Sequence, residues 1–291
     1  MSKPTVMAPA QGSRIVRDGT STILFGQPPE VLKGLLRHHV ESFDTLVLTD
    51  VKEKDGSVLN NLEFPFYFFL FVANGLAEGR KLSLVGSERD ISHALRLLRM
   101  TLNGPNRAEL DKWQTDNTLK EEWLAVSEAL ALTDKSGKTI PIEDFFNLVP
   151  FKHGQAQTNS MVIAHTGPDE YLVRNDERDI SVDLNEDQII GPSYPVQPDY
   201  VPGGLAKMSL EVLGGASGFT INEACTGLAL CFNGDYILID SIPFLDQHLF
   251  ARGISKNQVS AVFLTHLHDD HCTMFRSEEH TSELQSPSYL V

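Results

Sequence analysis

Apolar and polar positions along the chain fall into short runs with two different periods. Thr22–Phe25 (TILF), Thr45–Thr49 (TLVLT) and Leu82–Val85 (LSLV) are brief apolar runs of the kind that form buried strands. Glu30–Val40 carries Val31, Leu35 and Leu36 on one helical face. Ile91, Ala94, Leu95, Leu98 and Leu102 recur at the i, i+3, i+4, i+7 spacing of an amphipathic helix. Ser87 offers that helix an N-cap with Asp90 three residues on, and Asn103-Gly104-Pro105 stops it. Strands alternating with helices predict an α/β domain with a parallel layer over residues 1–190.

Other runs in this half are more mixed. Leu62–Phe71 (LEFPFYFFLF) reads as a core helix with Pro65 in its first turn, where the missing N–H costs nothing. Glu121–Leu132 predicts an amphipathic helix with Trp123, Leu124 and Ala131 available for packing. Met161–His165 and Tyr171–Arg174 predict a hairpin with a five-residue loop. Gly26 and Gly86 follow strands, but neither sits in a nucleotide-binding glycine motif. His38, His39, His93, His153 and His165 are scattered and read as surface or packed residues.

Residues 191–204 (GPSYPVQPDYVPGG) hold four prolines and three glycines. Such a run cannot form a long regular element and predicts a linker. Beyond it, Lys207–Leu213 alternates as a strand. GLALCF and DYILID follow, joined by Asn233-Gly234, the strongest short hairpin signal because both central residues of a type I′ turn need positive φ. Phe244–Arg252 predicts a helix stopped by Gly253, Ser255–Gln258 a short turn, and Ala261–Thr265 a buried strand.

That strand runs into His266-Leu267-His268-Asp269-Asp270-His271. In extended chain, residues two apart point the same way, so His266 and His268 can share one metal. As the chain turns, Asp270 and His271 come round to face a second one. Imidazole and carboxylate donors suit Zn²⁺, with Fe or Mn also compatible. Two such ions lower the pKa of a shared water towards neutrality and act as Lewis acids on the scissile group. Cys272, next in line, reads as a small packing residue at a helix start rather than a ligand.

THLHDDH, preceded by the GLALCFNGDYILID hairpin and the Gly214-Gly215 turn, resembles the metallo-β-lactamase superfamily over about Lys207–Met274. The resemblance implies the opening half of an αββα sandwich over residues 205–275. It assigns His266 and His268 to the first metal. Asp270, also the catalytic residue, and His271 go to the second. Asp240, at the end of its strand, matches the supporting aspartate behind the site and reads equally as a turn residue. The superfamily needs a further His, a bridging Asp and a last His downstream, so the expectation for this polypeptide is weak metal binding and no turnover. FGQPPEVLKGLL and NLEFPFYFFLF are similar to the N-terminal region of a bacterial cyclic-nucleotide phosphodiesterase group. That implies attack of metal-bound hydroxide on a 3′,5′-cyclic nucleotide. The alternatives are another hydrolase of the superfamily, a thioesterase or lactonase, and a non-catalytic sensory or binding protein.

Composition narrows the partners. Lys plus Arg number 24 against 39 Asp plus Glu, a net charge of −15, which argues against a nucleic-acid polymer but not against a small anionic substrate held by metal. The longest apolar run, Phe64–Ala73, has ten residues including Pro65, far short of the roughly 20 a membrane span needs. The start of the chain has no apolar signal region, and three cysteines in 291 residues do not make a disulfide scaffold. The expectation is a cytoplasmic protein acting on a small molecule, its oligomeric state open. Residues 276–286 (RSEEHTSELQS) resemble a translated sequencing adapter, so 276–291 is expected to be a non-native tail and His280 carries no functional weight.

Overall fold

The computed structural model describes residues 4–49, 53–54, 57–58, 61–112, 116–134, 136–158, 161–175, 178–185, 187, 190–196 and 207–278; residues 53–54, 57–58 and 274–278 are described as backbone only. The chain is a mixed α/β protein with several sheets. Strands β1 (Thr5–Met7), β2 (Arg14–Asp18) and β3 (Ser21–Phe25) lead into helix α1 (Val31–Arg37) and β4 (Thr45–Val47). A small pair, β5 (Glu53–Lys54) and β6 (Ser57–Val58), precedes α2 (Glu63–Tyr67), a π-helical turn over Phe68–Val72, and α3 (Gly75–Glu78). Then come β7 (Leu82–Gly86), α4 (Glu88–Asn103), α5 (Arg107–Leu110), α6 (Asn117–Leu130) and β8 (Phe146–Pro150).

These strands form a six-stranded sheet in the order β1-β2-β3-β4-β7-β8. β3, β4, β7 and β8 pair in parallel, as alternating elements predict, while β1 and β2 add an antiparallel edge. Each central strand is buried on both faces, and successive residues serve opposite cores. Ile15, Leu24, Leu46 and Leu84 join the helical side with Leu32, Phe66 and Leu98. Val16, Ile23, Phe25, Val47 and Val85 face the other way. That second core is closed by a four-stranded antiparallel sheet: β9 (Gln155–Gln157), β10 (Val162–Gly167), β11 (Glu170–Arg174) and β12 (Asp179–Asp183).

Several local expectations hold. Ser87 caps α4 by accepting from the Asp90 amide, and the Leu62–Phe71 run supplies Phe64, Phe66, Phe68 and Phe69 to the core. Three do not. The β10–β11 loop is two residues, not five, because the strands extend to Gly167 and Glu170 with a bulge after His165 and Asp169 at positive φ. α6 begins at Asn117, capped by Asp116, and buries none of its residues; Val126 and Leu130 stay exposed, so its apolar face is not core. The last helix runs to Glu278, into the segment read as tail; residues 279–291 lie outside the described residues.

The second half is a smaller layer. β13 (Met208–Gly214), β14 (Gly227–Phe232), β15 (Asp235–Ile239), α7 (Leu245–Ala251), β16 (Val259–Phe263) and α8 (Asp269–Glu278) follow one another. The sheet order is β13-β14-β15-β16, with β16 parallel to β15. Asn233 and Gly234 both take positive φ, as the Asn-Gly turn requires. Ala229, Cys231, Tyr236 and Leu238 pack beneath α7 with Leu245 and Leu249. The opposite face carries Met208, Leu210, Val212, Phe232, Ile237 and Phe263, all exposed. β16 is therefore half-buried, not buried as its apolar sequence suggested.

Of residues 191–204, 191–196 are described, and Tyr194 there is buried against His248 and Lys33; 197–204 lie outside the described residues. Lys33, 1% exposed, donates to the Glu223 carbonyl at 2.6 Å and pairs with Glu30 at 3.1 Å. Among the described residues no helix is long and apolar enough to cross a membrane.

Candidate metal centre

The motif begins where β16 ends. The chain leaves the sheet at Phe263, crosses Thr265–His268 without regular structure, and turns into α8 at Asp269. Three imidazoles meet there: His266 lies 4.1 Å from His271 and 4.6 Å from His268 between ring centroids. Asp270 Oδ2 stands 3.6 Å from His271 Nε2. The structure thus brings together His266, His268, Asp270 and His271. Among the described residues no group of three His, Cys, Asp or Glu side chains is arranged around a single ion position; the resemblance divides these four two and two.

Asp240 organises the cluster from behind. It is 2% exposed, and its backbone sits at φ 66°, where Asp is tolerated better than most residues. Its Oδ1 accepts from the Thr265 amide at 2.8 Å and the Thr265 hydroxyl at 2.9 Å. Its Oδ2 accepts from His271 Nδ1 at 2.7 Å. A carboxylate only accepts, so this bond puts the His271 proton on Nδ1 and leaves Nε2 as the donor atom for a metal. His266 Nδ1 likewise lies 3.0 Å from the Thr265 hydroxyl. Burial, and then the neighbouring His271 and His268, hold the His266 imidazole below its ordinary value, which keeps it in the neutral, ligating form. The chemistry of the donor set therefore fits a divalent ion such as Zn²⁺, and the Nδ1 atoms of His266 and His271 have partners of the kind usual for metal-ligating imidazoles.

Elements of the first half also reach the motif. Tyr67 sets its ring edge against His268 at 6.3 Å, and Phe64 packs edge-on to Phe219 at 6.3 Å. A Cβ on Gly218 would meet Phe64 Cζ at 2.7 Å and Asp270 Oδ2 at 2.9 Å, so the 217–220 loop, α2 and Asp270 are in close contact. Asp269 and Glu63 are both buried, and the carboxylate of each accepts from the backbone amide of the other. Sequence reasoning placed 62–71 in the core and missed this contribution. The signal was Glu63 and Tyr67, one helical turn apart in an otherwise apolar run. Cys272 is buried, its thiol near the Leu267 carbonyl at 3.5 Å, as a packing residue should be. His38, His39, His93 and His153 are exposed, and His165 is stacked between Phe151 and Tyr171.

The profile of the family described as anti-Pycsar protein Apyc1 matches residues 208–276, the stretch from β13 into α8. Two solved structures are similar. One is a new diphosphatase from the PhnP family, with TM-score 0.31 and 11% identity, covering 56% of this chain and 47% of that one. The other is Zn²⁺-bound PqqB from Methylobacterium extorquens, with TM-score 0.28 and 8% identity, covering 59% and 48%. The chain spans about half the length of each. No curated protein matches it.

Proposed function

We propose that this chain carries part of the metal centre of a binuclear metal-dependent hydrolase acting on 3′,5′-cyclic nucleotides. The observation that carries the reading is the clustering of His266, His268, Asp270 and His271 where β16 gives way to α8, with Asp240 bonded to His271 Nδ1. The match of 208–276 to the Apyc1 family supports the substrate class. His266 and His268 would hold one ion, Asp270 and His271 the other. Bound there, two divalent ions supply a water of near-neutral pKa and offset the charge of a phosphodiester. The chain's own residues orient and hold protons. Asp240 keeps His271 in the ligating tautomer, and Thr265 holds Asp240 in register. A metal centre also explains how a chain of net charge −15 accepts an anionic substrate.

The test is hydrolysis of cyclic AMP and cyclic GMP with Zn²⁺ or Mn²⁺ supplied, by this chain and by a longer protein that includes residues 1–275. Ring-opened nucleoside monophosphate from the longer protein is the expected result. Tight metal binding with no turnover of either nucleotide removes the substrate assignment, and turnover of a thioester or lactone replaces it.

A further inference from the structure

Resting on that metal-centre reading, we infer that Glu63, from the first half of the chain, is a positioning residue for the histidine–aspartate motif. The Asp269 amide donates to Glu63 Oε2 at 2.8 Å, and the Glu63 amide donates to Asp269 Oδ2 at 3.1 Å, across 206 residues of sequence. Each residue opens its helix, Glu63 in α2 and Asp269 in α8. The first amides of a helix have no partner inside it, so each carboxylate satisfies a donor that the other helix leaves open. Glu63 is 1% and Asp269 2% exposed. Carboxylates buried to that degree are costly unless hydrogen-bonded, and apolar side chains would pack two elements together without that cost. What the carboxylate pair adds over packing is a defined position for the start of α8.

That start is where position matters. Asp240 holds Thr265 and His271, on either side of Asp269 in sequence. Glu63 holds the backbone of Asp269 between them, directly before Asp270. The irregular segment 264–268 is therefore pinned by one carboxylate from each half of the chain. Tyr67, one turn along α2, braces His268 edge-on, and its hydroxyl points to Glu63 Oε1 at 3.5 Å. The donor geometry is set jointly by the two halves.

The experiment uses the full 291-residue chain with Glu63→Ala, Glu63→Gln and Glu63→Asp. Two readouts are taken at matched fold, judged by circular dichroism: hydrogen exchange of the 265–273 segment without metal, and Zn²⁺ affinity by chelator competition. Glu63→Ala should speed exchange at the Asp269 amide and weaken Zn²⁺ binding by up to about 10–100-fold, the cost of losing a group bonded directly to a ligand. Glu63→Gln keeps an oxygen that accepts from Asp269 and should stay close to the parent in both. Glu63→Asp keeps the charge but withdraws the oxygen by one methylene, and should behave like Ala; it decides the matter if Ala does not fold. Parent-like Zn²⁺ affinity in folded Glu63→Ala or Glu63→Asp overturns the inference, as does a Gln variant that falls as far as Ala. If the parent itself binds no Zn²⁺, the metal reading fails, and exchange alone decides whether Glu63 holds the motif: unchanged rates in Ala and Asp overturn it.

Discussion

Replacing Asp240 separates what it does for the fold from what it does for a metal. Asp240→Ala removes the acceptor for the Thr265 amide, the Thr265 hydroxyl and His271 Nδ1 at a 2%-exposed site. At about 1 kcal/mol for each lost hydrogen bond, the interactions alone come to about 3 kcal/mol. The backbone there is left-handed at φ 66°, which adds about 1 kcal/mol for a residue that lacks a short polar side chain. Ala should therefore cost about 4 kcal/mol of stability. Asp240→Asn behaves differently. Asn tolerates the same backbone, and its carbonyl still accepts from Thr265. Its amide then faces His271 Nδ1 with a donor, so the imidazole answers by moving its proton to Nε2, the atom a metal needs. Regaining the ligating tautomer gives up that hydrogen bond, about 1–3 kcal/mol, or roughly 5–150-fold in affinity. Urea unfolding of metal-free protein and Zn²⁺ titration against a chromophoric chelator read the two terms separately. The expected pattern is near-parent stability with weakened Zn²⁺ binding in Asn, and loss of both in Ala. An Asn variant that binds Zn²⁺ like the parent refutes the tautomer argument. One whose affinity falls only as far as its stability refutes the separation.

Three further outcomes follow from the same coordinates. His248 is buried with Nε2 at 3.1 Å from the Tyr194 hydroxyl, and burial, aided by Arg252 and Lys33, pushes its pKa down to about 4. The unfolded imidazole binds its proton first, so stability is complete above about pH 6.5 and falls towards pH 4, by up to about 3 kcal/mol. Unfolding free energies from pH 7 to 4 should show this slope reduced in His248→Leu, and an equal slope in both proteins refutes it. Gly218→Ala drives a methyl into Phe64 and Asp270 Oδ2; it should cost about 1–3 kcal/mol and lower Zn²⁺ affinity, and an unchanged melting temperature refutes the contact. Cys225, Cys231 and Cys272 are all buried, and burial pushes the Cys225 thiol up to about 12, so none should react with a thiol reagent until urea unfolds the chain.

The parts of the fold that could be read from the sequence are those whose cause is local. Alternate residues of the central strands serve different cores, so TILF and LSLV are mostly apolar and recognisable as parallel-sheet strands. Asn233-Gly234 announces its turn because few other pairs adopt positive φ twice. The histidine cluster is equally local, since six consecutive residues at the end of a strand carry all four candidate ligands. The errors arise where a pattern is consistent with more than one environment. α6 has an amphipathic sequence, yet Val126 and Leu130 stay largely exposed. AVFLT is apolar because β16 lies in a sheet apolar on both faces, but Phe263 and its neighbours on one face are bare.

Glu63 is the opposite case, an isolated charge whose reason is 206 residues away. In Leu62–Phe71 the aromatic residues dominate any reading, and the single carboxylate is easily taken for a helix-start residue with water as its partner. Burial removes that option. A carboxylate 1% exposed has to find protein donors, and one that it finds is the first amide of the helix bearing Asp270 and His271. Asp240 was recognisable because a strand-end aspartate before the motif has a known place in the family it resembles. No such precedent marks Glu63, although both carboxylates do similar work on the same short segment. A buried charge in an otherwise apolar run is thus a reason to look for a distant backbone partner, and where that partner belongs to a ligand-bearing turn, the charge belongs to the site.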